Sequence, residues 1–429
     1  MANPAEPILR RLAELHPKRI DLSLGRIERL LARLDHPERR LPPVVHIAGT
    51  NGKGSTLAFL DAMLQAAGRR TVRYISPHLV RFNERILIQG EPVDDARLIA
   101  ALDACERANG SAPITFFEIT TAAAFLIFAE TSADIVLLET GMGGRLDATN
   151  TVERPRLVLI SPVSMDHEAF LGNTLAAIAG EKAGIMKSGV PVILGPQRPE
   201  ALAVFEARAE ALGCPLLVHG RDWSARREGE RLVVEDRGES VELPLPSLAG
   251  VHQIDNAGLA VVAARRLGEL APPTAAIARG LVEVRWPARL QRLSEGPMVR
   301  ALGAGFELWL DGGHNPAAGE VLAASLPTLA QGRPVHLIVG MLATKDLEAF
   351  LRPLVPLVAS LRTVAVPDEP AARDAGEAAE IGRRLGLRAE PAPSPVAAAR
   401  AVAGHERPPG LVLVCGSLYL AGHVLREHR

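Results

Sequence analysis

Short apolar runs alternate with stretches of helical spacing along most of the chain. The runs "PPVVHIAG", "TVRYIS", "ADIVLLETG" and "RLVLISPV" are nearly unbroken, and each enters a loop carrying glycine, serine or histidine. Unbroken runs suit parallel strands buried on both faces, where period-two alternation disappears. Between them, "STLAFLDAMLQAAG" and "TAAAFLIFAETS" space their apolar residues as helices do. The alternation predicts a doubly wound α/β domain that receives ligands at the C-terminal ends of its strands. "LPSLAGVHQIDNAGLAVVAARRLG" then reads as a loop entering a helix. The rhythm restarts with "FELWLDGGHNPAAGEVLAASL", "VHLIVGMLATKDLEAFL", "LRTVAVPD" and "GLVLVCGSLYLAGHVL", a second and smaller α/β unit. The join falls near residues 285–297, at "VRWPARLQRLS". The expectation is a large N-terminal domain over residues 1–287 and a smaller Rossmann-like domain over 288–429. "AEPAPSPVAAARA" reads as a surface connection.

Composition narrows the class. A chain of 429 residues is too long for one ordinary core, which agrees with two domains. The formal net charge of −1 supplies no field to draw nucleic acid or an anionic membrane, so any phosphate binding must be local. Cys105, Cys214 and Cys415 are odd in number and far apart, which suits a reducing compartment and neither a disulfide framework nor a zinc site. The N-terminal "MANPAEPILRRLAELHP" lacks the basic-then-apolar order of a signal peptide, and no uncharged apolar run reaches the roughly 20 residues of a membrane span. A cytoplasmic protein with neither nucleic-acid nor membrane partners is expected.

Chemistry gathers at the strand ends. "VVHIAGTNGKGST" runs strand, glycine loop, helix, the order that cradles phosphate on backbone N–H groups at a helix N-terminus. It makes the first domain P-loop-type, although the match to G-x-x-x-x-G-K-[ST] is imperfect: Ile47 holds the first glycine position and Gly54 precedes Ser55. A tight strand-to-helix turn would explain Gly49 and Gly52, but not a lysine, Lys53, between two glycines. Glu139 ends an apolar strand, where an acid can hold Mg²⁺ beside a triphosphate; standing alone it would suit an exposed carboxylate equally well. The next strand segment, "RLVLISPVSMDHEAFLG", ends at Asp166 and His167. A neutral imidazole there suits a metal, or an ordinary core or surface role. "YISPHLVRFNERI" supplies Ser76, then Arg81 and Arg85, which suit anionic groups or a solvated basic face.

Lysine is scarce. Of 48 basic residues only Lys18, Lys53, Lys182, Lys187 and Lys345 are lysines. An amine can lose its proton and react, whereas a guanidinium essentially cannot. Lys182 and Lys187 lie five residues apart in "AGEKAGIMKSGV", on a predicted helix. Residue by residue, Lys182 reads as a helix-surface lysine near Glu181, and Lys187 as a helix-end lysine near carbonyl dipoles.

Taken together, "GTNGKGS", "SPHLVRFNERI", "ETGMGGRLDATN", "SMDHEAFLGNTLAAIAGEKAGIMK", "WPARLQ", "LDGGHNPAA" and "CGSLYLAG" resemble the folylpolyglutamate synthase/dihydrofolate synthase family of the Mur ligase superfamily, in order from about Ile20 to Gly422. The resemblance implies a Mur-ligase-like ATP-binding domain followed by a glutamate-ligase domain. It implies an ADP-forming ligase that adds L-glutamate to dihydropteroate or folates through an acyl phosphate. Asn51, Gly52, Lys53, Gly54, Ser55, Asn256, Arg289 and Asp311 match positions that bind ATP. Ser55, Ser76, Glu139 and His167 match those that serve two Mg²⁺ ions, and Lys182 matches a lysine carried as a CO₂-derived carbamate. His314 and Lys345 match positions of the C-terminal domain on the ATP side, His314 joining Lys53, Lys182 and Asp311 as a catalytic candidate. Thr115, Phe116, Phe117 and Arg145 match the pterin side, with "DLSLGRIERLL" a less specific addition. A monomer is implied, since one chain supplies both domains. The competing expectations are a Mur- or cyanophycin-type ligase acting on another acid, and a nucleotide-binding module without ligase activity.

Overall fold

The computed structural model describes residues 4–15 and 21–428, so Lys18 and Ile20 lie outside the described residues. The chain divides into two compact units, one comprising Met1–Ser247 and Ile254–Val284, the other Leu248–Gln253 and Arg285–Arg429. Among the described residues no helix is long and apolar enough to cross a membrane.

The first unit is built on eight strands: β1 (Val44–Ala48), β2 (Thr71–Tyr74), β3 (Ile86–Ile88), β4 (Glu91–Pro92), β5 (Ile135–Glu139), β6 (Leu157–Ile160), β7 (Val192–Leu194) and β8 (Leu216–Val218). Their spatial order is β4-β3-β2-β5-β1-β6-β7-β8. From β2 to β8 every pairing is parallel, while β3 and β4 add an antiparallel edge. β1, β5 and β6 are buried at every position, which is why their sequences are apolar without alternation. The predicted doubly wound domain is therefore present. The Lys53–Ala66 helix follows β1 and buries most of its residues. The Thr274–Glu283 helix packs on it closely enough that a Cβ at Gly280 would lie 2.5 Å from the backbone N of Met63.

Two apolar clusters flank the site. One joins the Gly25–Arg33 and Phe116–Ala129 helices to Val72, Tyr74, Val136 and Leu138. The other joins the Leu175–Ala183 and Pro199–Leu212 helices to Val158, Ile160, Val192 and Leu194. Leu24 packs against the first and Leu22 against the second, so residues 21–24 span both.

One element has no counterpart in the sequence reading. β9 (Trp223–Glu228), β10 (Arg231–Asp236) and β11 (Glu239–Pro244) form a separate antiparallel sheet. β9 and β11 are largely exposed, so they lack the apolar runs that mark the central strands. Ion pairs from Arg265 to Glu239 (2.6 Å) and from Arg266 to Asp236 tie this sheet to the His252–Arg265 helix.

In the second unit β12 (Gln291–Leu293), β13 (Glu307–Leu310), β14 (Val335–Val339), β15 (Val358–Thr363), β16 (Ala389–Pro391) and β17 (Leu411–Cys415) take the order β12-β13-β17-β14-β15-β16. All pairs are parallel except β12 with β13. "AEPAPSPVAAARA" corrects its expectation: it supplies β16 and the start of the Pro395–His405 helix. Ser394 caps that helix through Ala397 N, Pro395 takes its first position, and Ala398, Ala399 and Val402 are buried. Proline at such a position starts a helix, which a Pro/Ala-rich composition does not distinguish from a surface loop.

Phe125 sits fully buried in the Phe116–Ala129 helix. Phe125→Ala should cost about 3–5 kcal/mol in the unfolding of the first unit, read from denaturant curves; a loss below about 1 kcal/mol would contradict this packing.

Candidate functional site

β2, β5, β1 and β6 are neighbours and run parallel, so the loops leaving their C-terminal ends converge. Ser76 lies just after β2, Glu139 ends β5, residues 49–52 join β1 to the Lys53–Ala66 helix, and residues 161–167 follow β6. The glycine loop is anchored to the loop after β6. Thr50 N and Asn51 N donate to Pro162 O, Thr50 Oγ1 donates to Ser164 O, and Ser164 N donates back to Thr50 Oγ1. Two glycines are required here by contact as well as by backbone. A Cβ at Gly49 would lie 1.9 Å from Ser161 Oγ, and one at Gly52, whose φ is +89°, would lie 2.4 Å from Asn256 Oδ1. Asn256 is thereby placed against the glycine loop. Lys53 opens the helix and Ser55 is buried in its first turn.

Both sparse lysines of interest reach one carbonyl. Lys53 Nζ donates to Gly49 O at 3.2 Å and Thr50 O at 3.3 Å, and Lys182 Nζ donates to Gly49 O at 2.8 Å. Lys182 is only 4% exposed, which corrects its reading as a helix-surface residue. Its helix ends at Ala183, so Lys187 lies beyond the helix, and its Nζ reaches Asn150 O at 3.4 Å. Burial above all, and then the charge of Lys53, lower the Lys182 ammonium from 10.5 to about 7, while Asp166 and Asp147 oppose the fall. At neutral pH a large share of this amine is unprotonated.

Glu139 ends β5, nearly buried, with one carboxylate oxygen 3.9 Å from Lys53 Nζ and the other accepting from Ser76 N at 3.4 Å. Asp166 and His167 do not end β6, which stops at Ile160. They sit on the loop beyond it, with His167 at a φ of +54° and its Nε2 3.9 Å from Asp166 Oδ2. Among the described residues no group of three or more His, Cys, Asp and Glu could hold a metal ion. Of Ser55, Ser76, Glu139 and His167, Ser76 and Glu139 meet directly, through the Ser76 N–H; carboxylate and hydroxyl oxygens are hard donors of the kind Mg²⁺ takes alongside waters and phosphate oxygens.

A support layer that sequence reasoning missed holds the loop after β5. Buried Asp147 accepts from Met142 N, Thr149 N and Thr149 Oγ1, and buried His46 Nε2 meets Thr149 Oγ1 at 2.9 Å. Burial raises the Asp147 carboxyl and pushes His46 down to about 3, so the imidazole is neutral. Gly144 lets this loop touch the helix bearing Lys182, since a Cβ there would lie 2.7 Å from Glu181 O. Arg145 then pairs with Glu181 at 2.7 Å. The aspartate and threonine spaced two apart in "LDATN" were the available signal.

At the other side, Thr115 caps the Phe116–Ala129 helix. The Phe117 ring centroid is 6.2 Å from that of Tyr74, and Phe116 meets Phe82 edge-on at 5.8 Å. Arg81 is engaged by Asp95 at 2.7 Å, and Arg85 joins the aromatic corner through the Phe82 ring and His78 Nδ1.

In the second unit, Asp311 follows β13 and accepts from Leu290 N at 2.9 Å and Gly313 N at 2.7 Å. Its carboxyl is raised by burial, against a lowering by Arg289. Arg289 lies between two residues with positive φ, Ala288 at +56° and Leu290 at +42°, a backbone that the Asp311 contacts hold in place. His314 Nδ1 donates to Gly312 O at 2.9 Å, and Lys345 N donates to Leu342 O.

Residues 290–418 match the family described as Mur ligase, glutamate ligase domain. The chain is 34% identical over 422 residues to the dihydrofolate synthase/folylpolyglutamate synthase of Bacillus subtilis (strain 168), covering 94% of each. The solved structure of E. coli FolC in complex with DHPP and ADP superposes with a TM-score of 0.88 at 33% identity, covering 99% of this chain and 97% of that one. A bifunctional folylpolyglutamate synthase/dihydrofolate synthase with Mn, AMPPNP and L-glutamate bound gives 0.86 at 31% identity, covering 99% and 98%.

The lowered Lys182 ammonium has a measurable consequence. From about pH 7 to 10.5 the unfolded chain holds a proton at this site that the folded chain has lost, so stability rises with pH across that window and the cost is full below it. In CO₂-free buffer, the stability advantage of Lys182→Met over the unmodified protein should shrink by about 1.4 kcal/mol per pH unit within the window. A pH-independent difference in chemical denaturation would contradict the buried amine.

Proposed function

The chain belongs to the dihydrofolate synthase/folylpolyglutamate synthase family, and we propose that it joins L-glutamate to dihydropteroate, to folates, or to both, forming ADP and phosphate from ATP. One observation carries this function: the amines of Lys53 and Lys182 converge on Gly49 O inside a glycine loop, one at the helix start and one buried.

The ATP phosphates would lie along the loop N–H groups, with Lys53 offsetting the charge of the transferring phosphoryl group. Asn51, Gly52, Gly54, Ser55 and Asn256 complete that side, with Arg289 and Asp311 as further ATP residues and His314 as a catalytic one. Ser55, Ser76, Glu139 and His167 would hold magnesium, which when bound spreads charge away from the phosphates. The substrate carboxylate takes the phosphoryl group, the glutamate amine attacks the acyl carbon, and phosphate leaves as the amide forms. Thr115, Phe116, Phe117 and Arg145 would receive the pterin end, with the aromatic corner as its apolar wall. Neutral Lys182 amine adds to CO₂ and releases a proton, which yields a carbamate and replaces a cation by an anion. We place the enzyme in the cytoplasm as a monomer; Cys105, Cys214 and Cys415 are all free, which suits a reducing compartment.

ADP release by the pure protein should require both glutamate and an acid acceptor, dihydropteroate or tetrahydrofolate. Turnover with neither acceptor but with another acid would point to a Mur- or cyanophycin-type ligase, and ATP binding without release to a binding module. Lys53→Ala should lower kcat by at least about 10²-fold with the fold intact, and near-normal turnover would remove the loop assignment.

With ¹³C-bicarbonate, a carbamate resonance should appear as pH rises through about 7 and be absent from Lys182→Arg. Its absence from the unmodified protein would rule the carbamate out.

A further inference from the structure

The helix that begins at Phe116 has an unusual closure. Its capping box is complete: Thr115 Oγ1 accepts from Glu118 N at 3.3 Å, and Glu118 Oε2 accepts from Thr115 N at 2.7 Å. A capping carboxylate ordinarily faces water. Glu118 is 4% exposed, and its charge is met from another element. Arg26, on the Gly25–Arg33 helix, donates Nε to Glu118 Oε1 at 3.2 Å and Oε2 at 3.0 Å. The same guanidinium donates Nη1 to Asp21 Oδ2 at 3.1 Å and Nη2 to the Asp21 carbonyl. One half-buried fork thus fixes the cap that sets Thr115, Phe116 and Phe117, and the start of the 21–24 segment. That segment bridges the site's two apolar walls: Leu24 packs with the cluster that includes Phe116 and Phe117, and Leu22 with the one that includes Met142 and Met165.

We propose that Arg26 is a positioning residue for the flat, aromatic end of the acid substrate, tying residues 21–24 to the Thr115 helix start so that both walls keep their spacing. This rests on Thr115, Phe116 and Phe117 receiving the pterin end. The named contacts of Arg26 go to Asp21 and Glu118, not to the phosphate loop, so affinity for the acid and handling of ATP separate. A lysine cannot replace it, because only the planar fork reaches a carboxylate, a second carboxylate and a carbonyl together.

The test is steady-state kinetics of the full chain with dihydropteroate or tetrahydrofolate. Arg26→Ala should raise KM for the acid about tenfold or more, with KM for ATP and kcat within about twofold. Arg26→Lys should raise it in the same direction, and carries the test if Arg26→Ala fails to fold. Glu118→Gln keeps an acceptor for Thr115 N without a charge to compensate, so adding it to Arg26→Ala should recover at least about threefold of the KM. Phe117→Ala is the control for the underlying site. If Phe117→Ala raises KM for the acid and the Arg26 variants do not, the positioning role is overturned and the site stands. If Phe117→Ala leaves KM unchanged, the assignment of that segment fails and the proposal with it. An equal rise in KM for ATP and for the acid would mean general loosening and would also overturn it.

Discussion

The carbonyl of Gly49 accepts from the amines of both Lys53 and Lys182, and the site is arranged around that shared acceptor. Two cations at one oxygen repel each other, so the arrangement persists only if one of them gives up its proton readily. Burial of Lys182 does that, bringing its ammonium to about 7. A side chain at residue 49 would collide with Ser161, so the glycine loop and the segment leaving β6 lie in close contact, and Lys182 reaches the same residue through Gly49 O.

Much of the surrounding structure serves that constraint. Thr50 exchanges hydrogen bonds with Ser164 and fastens the loop to the segment that leads to Asp166. Asp147 and Thr149, backed by neutral His46, fasten the loop after β5, whose glycines lie against the Lys182 helix. Asp147 and Asp166 also oppose the depression of Lys182, so the local charge is balanced by groups that shape the backbone as well. Glu139 faces Lys53 from β5. The same solution recurs in the second unit, where Asp311 uses both carboxylate oxygens to hold the backbone around Arg289 and Gly313.

The aromatic corner obeys a different rule. Its groups are apolar or already paired: Arg81 with Asp95, Arg85 with His78 and the Phe82 ring, Arg26 with Asp21 and Glu118. Arg81 and Arg85, which look like anion receptors in the sequence, are engaged here by Asp95, by His78 and by the Phe82 ring. Charge is left for the phosphate side, where a chain of net charge −1 has to concentrate it locally.

The sequence by itself determined the two α/β rhythms, the glycine loop on the strand Val44–Ala48 and the acid ending Ile135–Glu139, because buried parallel strands and phosphate cradles leave local marks that need no partner. The scarcity of lysine drew attention to Lys182 and Lys187 alike, and the family resemblance separated them; neither gave the burial of Lys182, which depends on Gly49 arriving from 133 residues away. The exposed sheet Trp223–Pro244, the helix hidden in "SPVAAARA" and the end of β6 at Ile160 escaped the pattern, since exposed strands, capping by Ser-Pro and loops after a strand have weak or misleading apolar signals. Only the tertiary structure decided that the Lys182 ammonium is lowered by burial and which arginine holds a cap, because desolvation and ion pairing are properties of neighbours brought together by the fold.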